Sequence, residues 1–186
     1  MDAFDDRRKA LEEQFFKAHN QKLVKKMQDA AQRKATREEL QRLTGIAHEQ
    51  VLDALVGLNV GPAAVMMMSV LPLIEVAWAD GDVDDQERQV ILEQAHALGL
   101  EQGSDAGLVL AKWLDDKPDA SWSALWTDYV KELSKKLSAD DRAQLKTEVL
   151  GRAKLVAEAS GKVLGITSGI SKAEKKVLDR LAKAFA

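Results

Sequence analysis

Val76-Ala-Trp-Ala-Asp-Gly-Asp-Val-Asp-Asp-Gln-Glu87 joins the end of an apolar run to five carboxylates within the eight positions from Asp80 to Glu87. The stretch reads as a helix closing on a small residue and Gly81, then a second helix opening at Asp84, with Glu87 three positions on in the spacing of a capping box. Acidic side chains crowded into a turn repel one another. Solvent can screen them, a helix N-terminus can absorb them, or a cation can neutralise them.

A second copy of the pattern separates these explanations. Val156-Ala-Glu-Ala-Ser-Gly-Lys162, followed after an extra loop by Ile170-Ser-Lys-Ala-Glu174, repeats the helix end, the glycine, the β-branched residue, the cap and the glutamate. Val83 answers Ile170, Asp84 answers Ser171 and Glu87 answers Glu174, whereas Ser160 and Lys162 stand where the first copy has Asp80 and Asp82. A helix-turn-helix of this kind therefore needs the capping pair, a contribution of about 1 kcal/mol, but not Asp80 and Asp82. Alternating aspartates offer hard oxygen ligands suited to calcium or magnesium. An EF-hand loop is excluded, because its sixth position would be Asp85 instead of glycine and its twelfth Ile91 instead of glutamate. A looser divalent-cation site would use Asp80, Asp82, Asp84 and Glu87, with Glu75 or Glu158 from packed helices as further oxygens; a solvated acidic turn is the simpler alternative.

Outward from this unit the chain reads as helix almost everywhere, with three prolines, no cysteine and many Ala, Leu, Lys, Glu and Gln residues. Residues 4–35 carry Leu11, Phe15, Phe16, Leu23, Val24 and Met27 in a polar background, the pattern of one long amphipathic helix able to project as an arm. Thr36 and Glu39 cap a short helix that stops near Gly45, and another runs from about Ala47 to Val56. Residues 61–79 are apolar except for Glu75, and Pro72 is expected to divide them into two helices of a buried hairpin. The borderline length and Glu75 argue against a bilayer span. Further helices are expected over 85–98, from Ser104 or Asp105 to Leu114, around Trp122, Trp126, Tyr129 and Leu133, from Ser138 to about Ala159, and after Ser171. Trp113 should meet the later aromatics in a core cluster.

The net charge of −3 hides an asymmetry: residues 71–128 hold three basic against thirteen acidic side chains, and residues 129–186 hold thirteen basic against seven acidic. The acidic middle should repel nucleic acid and attract cations or a basic partner. The basic helices offer Lys172, Lys175, Lys176, Arg180 and Lys183 to anionic lipid or nucleic acid. His19, His48 and His96 lie on separate helices without a nucleophile motif, and Gly161, Gly165 and Gly169 lack the Lys-Ser or Lys-Thr of a phosphate loop, so catalysis finds little support. A metal-dependent enzyme built on the turn carboxylates is the alternative from another class. The charged N-terminus is unlike a secretory signal and the absence of cysteine suits a reducing compartment, which together point to the cytoplasm.

At Ala77-Trp-Ala-Asp-Gly81, Val83 and Glu87, with the weaker Ala157-Glu-Ala-Ser-Gly161 through Glu174, the chain resembles the TerB-like family named for tellurite resistance. The resemblance covers about residues 60–186 and implies an all-α, compact bundle of packed helical hairpins with an acidic surface. It also implies divalent-cation binding and service in stress-response assemblies near the membrane, without a defined reaction. Asp80 and Glu87 match its motif; Ser160 and the loop at residues 163–169 depart from it and put a symmetric two-metal arrangement in doubt. The expected organisation is a helical arm (residues 1–35), a short helical connector (36–59) and a TerB-like domain with two weak repeats (60–186). The expected function is that of a non-enzymatic interaction or scaffold protein. Its contacts would be a protein partner through the arm or the acidic surface, with homo-oligomers and peripheral membrane association open and nucleic acid disfavoured.

Overall fold

The computed structural model describes residues 37–44, 49–57, 62–160 and 170–186. Among these residues there are eight α-helices and no strand: α1 (Arg37–Thr44), α2 (Glu49–Gly57), α3 (Pro62–Ala77), α4 (Asp85–Ala97), α5 (Asp105–Asp115), α6 (Ala120–Lys135), α7 (Ala139–Ser160) and α8 (Lys172–Lys183). The all-α expectation holds for them. The amphipathic arm, the cap at Thr36 and the loop at residues 163–169 lie outside the described residues.

A helix with one charge in sixteen residues must be covered on every side, and α3 packs against α1, α4, α5, α6, α7 and α8. Met67, Val70, Leu71, Leu73, Ile74 and Val76 are essentially inaccessible to solvent. The unbranched Met66, Met67 and Met68 are all buried, filling space that six neighbours leave irregular. No helix among the described residues is long and apolar enough to cross a membrane.

The expected division at Pro72 is wrong, because α3 runs through it as one helix. Proline lacks the N–H that would bond the carbonyl four residues back, leaving the Met68 oxygen without its helical donor. The buried Trp126 indole supplies one, its Nε1–H donating to that oxygen at 2.9 Å. The break anticipated locally is repaired from α6.

The helix ends follow their capping residues. Ser104 caps α5 by accepting from the Gly107 N–H, and Ser138 accepts from the Asp141 N–H at the start of α7. Gly99, at φ +80, ends α4 in a left-handed conformation. There the Leu100 N–H bonds the Ala95 oxygen and the Gly99 N–H the His96 oxygen, closing a Schellman motif over buried Leu100. Gly107 is required for a different reason: a Cβ there would lie 2.2 Å from the Glu101 carbonyl oxygen.

The two repeat units interlock. Helix α3 lies along α7, while α4 packs on α7 and α8 packs on both α7 and α3, so the second helix of each unit rests on the first helix of the other. The aromatic cluster forms where the spacing places it, Trp113 meeting Trp122 edge-on at 5.0 Å and Trp126 meeting Phe185 at 6.1 Å.

Candidate functional site: the acidic turn and its neighbouring groove

Gly81 turns the chain at φ +108, a conformation that L side chains rarely adopt, and so sets the direction in which residues 80–84 leave α3. Asp80 and Asp82 are exposed. One Asp82 carboxylate oxygen accepts the Val83 N–H at 2.9 Å, while the Val83 side chain is buried and anchors the turn. Asp84 Oδ1 accepts the N–H groups of Gln86 and Glu87, both at 2.8 Å, and Glu87 Oε2 accepts the Asp84 N–H at 2.9 Å. The capping box read from the spacing is complete. Three of the four nominated ligands thus each commit an oxygen to the backbone, and a second oxygen remains on each carboxylate.

The other unit is built the same way. Ser171 Oγ accepts the Glu174 N–H at 3.1 Å, and Glu174 Oε2 accepts the Ser171 N–H at 2.6 Å. Both capping glutamates are interior, with Glu87 2% and Glu174 3% exposed. Burial pushes the Glu87 carboxyl up to about 8; the Asp84 N–H opposes the shift, and the charges of Asp84, Asp80 and Glu174 add to it. The two units therefore bring their capping glutamates within electrostatic reach of each other. The repeat aligned these residues in sequence, but only the interlocked packing makes them neighbours.

The auxiliary carboxylates go elsewhere. Glu75 pairs with Arg180 of α8 at 3.0 Å, and Glu158 pairs with Lys154 at 3.4 Å. Among the described residues no three or more His, Asp or Glu side chains form a group arranged to hold a metal ion. Lys172, Lys175, Lys176 and Lys183 lie exposed on α8, while Leu181 of the same helix is buried.

Beside the turn, α4 and α5 enclose a groove of about 490 Å³ that sequence reasoning did not anticipate. Leu92, Ala95, Leu100 and Leu110 give it apolar walls; Asp85, Glu93, Arg88 and His96 are among its polar lining. Asp85, the first residue of α4, belongs to both turn and groove. Arg88 also reaches across to the end of α5, donating to the Leu114 carbonyl at 3.0 Å and to Asp115 at 2.9 Å, and so ties together the two helices that form the groove.

The chain matches no family model, no curated protein and no solved structure.

Proposed function

We propose that the protein is a non-enzymatic, TerB-like helical interaction module whose α4–α5 groove receives a partner segment and whose acidic turn responds to a divalent cation. The observation that carries this reading is the groove itself, an apolar-walled cleft with an acidic and basic lining, continuous with the turn through Asp85. An amphipathic segment with basic residues fits that chemistry, and the surplus of acid over residues 71–128 favours its approach.

The cation reading draws on crowding. Asp80 and Asp84 lie close enough to the buried Glu87 to raise its affinity for a proton, and a metal ion relieves the same repulsion. A hard cation such as calcium or magnesium would take a carboxylate oxygen of Asp80 and the second oxygens of Asp82, Asp84 and Glu87. Cation binding at the turn would then bear on the groove, because α4 begins in one and lines the other. The family likeness, with the tie to tellurite or envelope stress that it implies, belongs to the same proposal and rests on the paired capping units; a cytoplasmic location belongs to it too and rests on the absence of cysteine.

The test is an NMR titration of the intact chain with calcium, magnesium, manganese and zinc, repeated on an Asp80→Asn, Asp82→Asn double variant. The expected result is amide shifts over residues 80–88 that spread to Gln89 and Leu92 in the wild type and are lost in the variant. Amides that stay unmoved throughout the turn with all four ions would remove the cation from the reading. The groove is tested separately by Leu92→Glu, which should abolish capture of the partners that the wild type retains.

A further inference from the structure

The most apolar helix of the molecule carries a single charge, and its placement is unexplained by packing. Glu75 sits on α3 with its side chain 10% exposed, held by Arg180 at 3.0 Å and by the Ser123 hydroxyl. Burial raises its affinity for a proton, against the influence of Arg180. The pair is open to solvent on its Arg180 side, 44% exposed, and so gives little net stability, and every buried position of α3 is apolar. What the carboxylate does achieve is to fix the Arg180 guanidinium in the wall of a cavity.

That cavity, about 270 Å³, lies where the end of α3, the α5–α6 loop, the start of α6 and α8 converge. Ile74, Pro118, Val177 and the indoles of Trp78 and Trp122 supply its apolar surface, and Lys117 and Arg180 its cations. The indoles are fixed: Trp78 Nε1 donates to the Trp113 carbonyl at 2.8 Å, and Trp122 packs edge-on against Trp113. The acids of the cavity are already engaged, Glu75 by Arg180 and Ser123, and Asp119 by the Ser121 N–H at 2.8 Å as the cap of α6. Each cation has donor capacity beyond its hydrogen bond among the described residues. Lys117 gives one N–H to the Trp78 carbonyl at 3.2 Å, and Arg180 bonds Glu75 through one nitrogen of a guanidinium that carries five N–H groups.

We propose that this cavity binds a small organic carboxylate with a flat apolar body, the carboxylate held between Lys117 and Arg180 and the body laid against Trp78 and Trp122. Planar, two-point recognition of a carboxylate is the chemistry for which arginine is suited, and the volume admits a ligand of about ten non-hydrogen atoms. A free aromatic acid and the carboxyl terminus of a peptide ending in an aromatic residue share this chemistry.

The test follows the indole Nε1–H resonances of the four tryptophans in the intact protein while benzoate and phenylacetate are added, each beside its neutral amide. Glycyl-phenylalanine and its C-terminal amide form a second arm that separates a chain terminus from a free acid. The expected result is saturable shifts of Trp78 and Trp122 by the acids, with Kd on the order of 0.1–1 mM, and at least about tenfold weaker binding of the amides. Lys117→Gln, at an exposed loop position, should weaken acid binding several-fold without altering the thermal melt, and Arg180→Gln should abolish it. The proposal is overturned if neither acid moves Trp78 or Trp122 at about 10 mM, if the amides bind as tightly as the acids, or if Lys117→Gln leaves the affinity unchanged. The Asp80→Asn, Asp82→Asn variant should bind the acids as the wild type does, so failure here and failure of the cation reading are distinguishable.

Discussion

Glu87 shows how one side chain can serve the backbone and oppose its own charge. As the third residue of α4 it accepts the Asp84 N–H, which favours the carboxylate, yet it does so 2% exposed and in the field of Asp80, Asp84 and Glu174. Its folded-state pKa of about 8 stands above the ordinary glutamate value of 4.5. A carboxyl raised on folding binds its proton more tightly in the native state, so its contribution to stability is complete below about pH 4.5 and is lost as pH rises through 8. Glu87→Gln keeps an oxygen for the Asp84 N–H and removes the titration. Urea unfolding at pH 5.5, 7 and 8.5 should therefore show the wild type losing stability relative to the variant, with a slope no steeper than about 1.4 kcal/mol per pH unit, the limit for one proton. Parallel pH profiles would mean that Glu87 ionises in the fold as it does in the open chain. The cap itself was legible from the four-residue spacing. The burial and the field were not, because they come from residues on α8 and on the turn that spacing alone does not bring near.

At the scale of elements, the helix starts could be read directly: Ser104, Ser138, Asp84 and Ser171 each stand where the structure caps a helix. These signals are local, a side-chain oxygen meeting an N–H two or three residues ahead, and local chemistry is what a single sequence displays. The expected break at Pro72 fails for the complementary reason. Its missing N–H is local, but the donor that compensates comes from Trp126, 58 residues beyond the Met68 carbonyl it serves. Trp126→Phe should cost about 1–3 kcal/mol beyond any packing change, because it leaves that buried carbonyl without a donor. Pro72→Ala restores an N–H at residue 72 that can bond Met68 in the ordinary helical way. In that background Trp126→Phe should cost less by about 1 kcal/mol, a coupling measurable by denaturant unfolding of the four proteins. Strict additivity would show that the indole and the proline do not meet at Met68.

For the whole molecule, the repeat was visible in sequence while its consequence was not. Two copies of a helix-turn-helix could fold side by side as separate units, each with its own cap. Instead α4 rests on α7 and α8 rests on α3 and α7, so neither unit can bury its apolar faces without the other. The arrangement also explains why the excess acid of the first copy matters: Glu174 of the second copy adds its charge to that already around Glu87. Interlocking of this kind implies one cooperative transition, since opening either unit exposes the core of both. Leu181 of α8 is 1% exposed, and Leu181→Ala should cost about 2–5 kcal/mol, as large-to-small changes in a packed core do. In native-state hydrogen exchange the slowest amides of α4, around Ile91 and Ala95, should then lose the same protection as those of α7 around Val156, although the substitution lies on neither helix. Protection retained in α4 while α7 and α8 weaken would show instead that the first unit holds its structure alone.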